Sequence, residues 1–170
     1  IDMAADPDKQ QELLATPGFD FHGQLVLSGS GAVLGARYLT DARATLWFDP
    51  ELKKMQEQVD ALLPTTVNQL DCGSCDRRER ILVAATSDRQ PTAYLLFDAH
   101  TGKLAPIAAS RPWINPKTMA ARDMVRINAR DGLSLPVHVT RPNGQKGALP
   151  MVVLVHGGPW ARGGVWEWDA

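Results

Sequence analysis

The sequence has no apolar stretch of the length that a membrane-spanning helix requires. Crossing a bilayer as a helix takes roughly 18 consecutive apolar residues, and no run in the 170 residues approaches that length. The opening IDMAADPDKQ also lacks the basic and apolar parts of a signal peptide. We therefore expect no membrane partner. Because the sequence starts at Ile1 without an initiator methionine, we expect the true start, with any export signal, to precede it.

An excess of charge of one sign is also missing. The 18 lysines and arginines are scattered among 19 aspartates and glutamates, which gives a net charge of -1. Nucleic acids and anionic membrane surfaces are bound by clustered basic residues, so the charge pattern argues against both as partners. Small neutral or mixed-charge substrates fit the composition better.

Cysteine is scarce, since the sequence contains only Cys72 and Cys75, in DCGSCDRRER. A lone CxxC can be a short-loop disulfide, half of a zinc site or two free thiols. Zinc usually takes four ligands, and no second CxxC or paired histidine motif occurs, so we expect no metal. A redox CxxC would precede a helix, whereas the strand-like ILVAAT follows here. We interpret the pair as a structural turn and a candidate disulfide, which tilts localisation from the cytoplasm toward export, for example to the periplasm.

Short apolar segments separated by glycine, aspartate and proline dominate the first 121 residues. They are LVLSGSG, GARYLTD, ILVAATS, AYLLFD and KLAPIA. Such segments predict antiparallel strands with tight turns, as in the blades of a β-propeller or in a sandwich. Periodicity does not separate these two folds, and no WD or kelch repeat favours the propeller.

One helix is predicted within this strand-rich region. Asp49 is a good N-cap, Pro50 suits the first helical position, and Glu51 favours the positive end of the helix dipole. Apolar residues then recur at steps of three or four until Pro64. The pattern predicts a helix over about residues 50–63 whose apolar face packs against a sheet.

The sequence changes character between residues 110 and 121, where RPWINPKTMA places prolines and polar residues between apolar segments. This change predicts a domain boundary that separates residues 1–121 from residues 122–170. Alternating apolar residues on either side of Asp131-Gly132 then predict a β-hairpin. Earlier in the sequence, the charged run DRRER at residues 76–80, directly after the cysteines, is interpreted as a solvated turn between strands.

The apolar run MVVLV, followed by HGGP, carries the chemistry that the sequence offers. The run predicts a central strand buried on both faces, and ligands of α/β sheets bind at the carboxyl ends of such strands. Glycine amides at that edge can stabilise an oxyanion in acyl transfer. His156, Gly157 and Gly158 are therefore candidates for an oxyanion loop. Trp160 is a candidate substrate-binding residue, although large aromatics near a sheet edge more often serve packing.

Three segments together resemble the propeller-to-hydrolase junction of the prolyl oligopeptidase family of serine peptidases, especially its acylaminoacyl peptidase and dipeptidyl peptidase members. They are SDRQPTAYLLFDAHTGKLAPI, RINARDGLSLPVHVTRP and ALPMVVLVHGGPWAR. The resemblance implies the end of an antiparallel β-propeller in residues 1–121 and the first strands of an α/β-hydrolase domain in residues 122–170. It also implies peptide substrates, no cofactor, and the Gly158 amide as the direct oxyanion donor. His156 stands where prolyl oligopeptidase itself has a tyrosine.

The nucleophile motif GxSxG is absent from the sequence. In α/β-hydrolases all three triad residues follow the oxyanion strand, so we expect the serine, aspartate and histidine to lie beyond Ala170. We therefore assign no catalytic residue and expect the segment alone to be inactive. A carboxylesterase-like hydrolase and a non-catalytic propeller that acts as a binding module remain alternatives. The sequence contains no Glu-Glu pair that could bind the free amino terminus of a peptide, as in dipeptidyl relatives, so the choice between exopeptidase and endopeptidase stays open.

Overall fold

The fold consists of antiparallel sheets and one helix in a computed structural model that describes residues 12–158, 160 and 164–169. The elements, in chain order, are β1 (Gly23–Leu27), β2 (Val33–Leu39), β3 (Arg43–Trp47), α1 (Pro50–Leu62), β4 (Val67–Asp71), β5 (Arg80–Thr86), β6 (Ala93–Asp98), β7 (Lys103–Ala109), β8 (Arg122–Asn128) and β9 (Ser134–Thr140). They form three sheets, β1-β2-β3, β4-β5-β6-β7 and β8-β9, and every pairing is antiparallel between sequence neighbours. The prediction of antiparallel β-structure with one helix is confirmed.

The first sheet depends on a close approach between β2 and β3. Gly35 lies opposite Trp47 in the register. A Cβ added to Gly35 would lie 2.7 Å from the Leu46 carbonyl oxygen and 2.8 Å from Trp47 Cε3. Glycine at this position therefore lets the Trp47 ring and the β3 backbone approach β2 closely.

Helix α1 begins and ends as its sequence predicts. The Asp49 carboxylate accepts hydrogen bonds from the backbone amides of Glu51 and Leu52, both at 3.0 Å. Pro50 occupies the first turn, where its missing N–H removes no helical hydrogen bond. In the part of the chain that the structure describes, no helix is long and apolar enough to cross a membrane.

The core lies where the helix meets the first two sheets. Its buried residues come from β2 and β3 (Leu34, Trp47), from α1 (Leu52, Met55, Val59), and from β4, β5 and β6 (Leu70, Ile81, Val83, Phe97), with Cys75 beside them. Polar groups also join the two sheets, since Arg37 of β2 donates from Nη2 to the Leu70 carbonyl of β4 at 2.7 Å. The apolar stripe of α1 is therefore used for packing, as expected.

The second sheet is a four-stranded meander with short turns. Between β6 and β7, Asp98 accepts hydrogen bonds from the amides of Thr101 at 2.9 Å and His100 at 3.0 Å. Gly102 completes this turn with a φ of 67°. The HTG segment therefore forms the predicted turn.

The hairpin β8-β9 is a separate two-stranded sheet, and polar groups link it to other parts of the chain. Asp88, in the β5-β6 turn, accepts a hydrogen bond from the Arg122 amide at 2.8 Å, and Arg126 pairs with Asp41 at 3.4 Å. The loop at Asp131 and Gly132 joins the strands where the sequence predicts it. The predicted boundary at residues 110–121 falls in turns between β7 and β8 and stays a prediction.

The predicted central strand MVVLV is wrong for this structure. Residues 151–155 belong to no strand, and Val152 and Leu154 are each 91% exposed. A strand buried on both faces needs neighbours that complete its hydrogen bonds and cover both faces. Among the described residues, no strand pairs with this segment.

Candidate functional site

The HGG segment follows the exposed residues 151–155 and is itself exposed. The Nδ1 atom of His156 lies 2.8 Å from the carbonyl oxygen of Gly157. Gly158 has a φ of 141°, a conformation that residues with a Cβ rarely adopt. At Gly157, by contrast, an added Cβ would meet open space. The local backbone thus requires glycine at position 158 more strictly than at position 157.

Trp160 lies at the edge of a cleft of about 830 Å³. Its lining includes Phe19 and Phe21 from the segment before β1, and Arg126 and Pro136 from the hairpin. Trp160 itself is 97% exposed, so its ring is available to a ligand and contributes little to packing.

The two following tryptophans are used differently. Trp166 donates from Nε1 to the Arg122 carbonyl at 3.1 Å, and Trp168 lies under the Arg111 guanidinium at 5.1 Å. Both rings are only partly exposed. The structure therefore separates Trp160 from the other two, which serve packing.

A second group of chemically distinctive residues lies in the loop between β4 and β5. The sulfur atoms of Cys72 and Cys75 are bonded to each other, and their Cα atoms are 4.7 Å apart. The Cys75 amide donates to the Cys72 carbonyl at 2.9 Å, which closes a tight turn. Cys75 is 3% exposed and belongs to the core, so this disulfide ties the loop to the interior.

The expectation that DRRER is a solvated turn is wrong for Arg78. Its Nη1 atom donates to Asp49 at 2.8 Å and to Glu51 at 2.9 Å, and only 22% of its side chain is exposed. The pairing with Asp49 raises the pKa of Arg78 above its usual value. Burial alone would raise the pKa of Asp49, but the hydrogen bonds from Arg78, Leu52 and Glu51 hold it below its usual value. Sequence spacing gives no signal for this contact.

Within the described ranges, no three histidine, cysteine, aspartate or glutamate residues group closely enough to hold a metal ion. The candidate site consists of the exposed HGG segment, Trp160 and the cleft beside Trp160.

The chain is similar to dipeptidyl aminopeptidase BIII of Pseudoxanthomonas mexicana. The two are 30% identical over 185 aligned positions, which include 100% of this chain. The chain spans 26% of the length of dipeptidyl aminopeptidase BIII. No protein-family profile matches the chain, and no solved structure matches it.

Proposed function

We propose that this chain is part of a serine peptidase of the prolyl oligopeptidase family that hydrolyses short peptides through an acyl-enzyme. In this proposal residues 1–121 are propeller blades with a helical insertion, and residues 122–170 begin an α/β-hydrolase domain. His156, Gly157 and Gly158 form the oxyanion loop, and Trp160 contacts the substrate. The serine, aspartate and histidine of the triad come from residues outside these 170.

The observation that carries the proposal is the similarity to dipeptidyl aminopeptidase BIII, because it extends over the whole chain. A similarity confined to one motif such as HGGP would fit many hydrolases. The order of strand-rich region, RDG hairpin and HGGP in the sequence supports the same family.

The arrangement of the second sheet supports the propeller part of the proposal. Strands β4 to β7 follow one another as a four-stranded antiparallel meander, which is the form of a propeller blade. The inner face of this sheet contributes Ile81, Val83 and Phe97 to the core. Packing through one face against a neighbouring sheet is how blades contact each other.

The conformation of Gly158 supports the oxyanion part. A backbone amide can act as an oxyanion donor only where no side chain hinders the approach of the substrate carbonyl. The exposed HGG segment meets this condition, and the φ of 141° at Gly158 excludes most other residues.

The test is an activity assay on the intact protein that contains this sequence. We expect release of p-nitroaniline from dipeptidyl anilides and labelling of one serine by a fluorophosphonate probe. Blocking the substrate amino group by acylation distinguishes the peptidase types: loss of turnover indicates a dipeptidyl peptidase, and retained turnover indicates an acylaminoacyl peptidase or an endopeptidase.

Two other results would overturn the proposal. Turnover of p-nitrophenyl esters without any turnover of anilides or peptides would indicate a carboxylesterase-like hydrolase. Binding of peptides without turnover and without serine labelling would indicate a binding module. The same assays on residues 1–170 alone are expected to show no hydrolysis.

A further inference from the structure

The disulfide loop between β4 and β5 holds its second cysteine in an unusual backbone conformation. Cys75 has a φ of 57°, in the left-handed region that residues other than glycine rarely occupy. Its side chain is buried while Cys72 is partly exposed. The sulfur–sulfur bond to Cys72 and the 2.9 Å hydrogen bond from the Cys75 amide to the Cys72 carbonyl both close the loop at this residue.

Two carbonyl groups of this loop contact other parts of the fold. The Ser74 carbonyl accepts a hydrogen bond from the Gly29 amide, in the β1-β2 turn, at 2.8 Å. The Cys75 carbonyl accepts one from Arg78 Nε at 3.1 Å. The loop that belongs to the second sheet therefore also contacts the first sheet and orients Arg78.

Arg78 connects the disulfide loop to the start of the helix. While Nε is held by the Cys75 carbonyl, Nη1 reaches both Asp49 and Glu51 at the start of α1. Asp49 also caps the helix, and its own amide donates to the Leu34 carbonyl of the first sheet at 3.0 Å. The loop, the helix start and the first sheet thus form one connected group.

We propose that the Cys72–Cys75 disulfide is a redox-sensitive clasp that fixes Arg78 on the start of α1 and ties the β4-β5 loop to the β1-β2 turn at Gly29. The physical reason is the conformation of Cys75. Without the covalent link, the residue relaxes toward the ordinary negative-φ regions, which turns its carbonyl away from Arg78. The helix start then loses one of its charged partners and opens more often.

The redox step balances with a dithiol as reductant. A reductant thiolate attacks Sγ of the partly exposed Cys72, and Cys75 leaves as a thiolate that takes up a proton. The second thiol of the reductant then attacks the reductant sulfur that is bonded to Cys72. This closes the reductant's disulfide and releases Cys72 as a thiol. Two electrons and two protons pass to the protein, and the reductant becomes a disulfide. A small disulfide oxidant reverses the reaction.

The test is hydrogen exchange, followed by mass spectrometry, on the intact protein with and without dithiothreitol. A disulfide that closes so short a loop restricts the open states of the chain by a factor on the order of ten. We expect peptides that contain Gly29 and residues 49–53 to exchange about tenfold faster after reduction. The hairpin β8-β9, which the clasp does not contact, is the internal control and is expected to keep its rate.

Variants separate the clasp from a general stabilising effect. Cys72→Ser combined with Cys75→Ser is expected to exchange at the fast rate whether or not dithiothreitol is present. Arg78→Gln is expected to speed the exchange of residues 49–53 in the oxidised protein, with little further increase on reduction. Comparison of the two variants tests whether the disulfide acts through Arg78.

Three results would overturn the proposal. One is an equal change in exchange over the whole chain on reduction, and another is no change at residues 49–53. The third is alkylation of both cysteines in protein purified without reductant. The wild-type measurement needs no substitution, so a variant that fails to fold does not remove the test.

Discussion

Arg78 and Asp49 lie 29 residues apart in sequence, and Arg78 Nη1 donates to Asp49 Oδ1 across 2.8 Å. The same oxygen accepts the backbone amides of Glu51 and Leu52. One carboxylate therefore both caps the helix and anchors the loop after β4.

Stability is expected to fall in acid because the pKa of Asp49 lies below its usual value in the folded chain. A carboxyl group whose pKa is lowered by folding stabilises the fold above its unfolded pKa, about 3.9 for aspartate. That contribution is lost as the pH falls through the lower folded pKa. Asp49→Asn keeps a capping oxygen but carries no charge, so it is expected to lose about 1–2 kcal/mol at pH 7 and to show a weaker acid dependence. Urea unfolding from pH 7 to pH 2 measures both, and an unchanged acid dependence would contradict the assignment.

The helix offers a matched pair of leucines for testing the core. Leu52 is fully buried and Leu62 is 51% exposed. Leu52→Ala leaves a cavity and is expected to cost roughly 2–5 kcal/mol of unfolding free energy. Leu62→Ala makes the same chemical change and is expected to cost about 0.5 kcal/mol or less. Thermal and urea unfolding of the two variants provide the comparison, and equal losses would show that the helix does not pack as described.

Gly35 is expected to tolerate no side chain. In Gly35→Ala the added methyl group meets the Leu46 carbonyl and the Trp47 ring, and such overpacking costs roughly 1–3 kcal/mol. Gly157→Ala places its methyl group in open space and serves as the control for stability. The melting temperature of Gly35→Ala is expected to be lower than that of Gly157→Ala. Equal melting temperatures would rule out the close approach between β2 and β3.

Under the proposed function, Gly158→Ala is expected to reduce kcat/KM for peptides by on the order of 10²-fold, because the strained backbone displaces an oxyanion donor. Gly147→Ala is the matched control, since Gly147 also has a positive φ, of 85°, and open space around it. Both variants place an alanine at a positive φ, 85° at Gly147 and 141° at Gly158, but Gly147 lies outside the HGG segment. Assays on the intact protein are expected to show wild-type turnover for Gly147→Ala, and equal losses in the two variants would argue against an oxyanion role.

The elements with strong local signals could be predicted from the sequence. Helix α1 combines a capping aspartate, an early proline and an apolar stripe. The hairpin β8-β9 combines alternating apolar residues with a glycine turn. Strand β4 was not predicted, because the polar residues Asn68 and Gln69 interrupt the apolar pattern from which the other strands were predicted. Asn68 is buried all the same, since its amide donates to Asp60 and to the Leu63 carbonyl.

The tertiary features could not be predicted in the same way. The contact between Arg78 and Asp49 depends on how a loop folds back on a helix, and no spacing in the sequence encodes that distance. The error at MVVLV has another cause: an apolar run indicates that burial would be favourable, but partner strands must be present to provide it. Local chemistry predicts the glycines and the tryptophan of the candidate site, and their roles are proposals.

The exposed residues 151–155 have a consequence for how this chain behaves at high concentration. Met151, Val152 and Leu154 are each more than 80% exposed, and the segment carries neither charge nor proline. Stretches of this kind pair with identical segments of other molecules into intermolecular sheets. Self-association through this segment should therefore limit the solubility of the chain, and a single lysine in place of Val153 should delay the onset of aggregation.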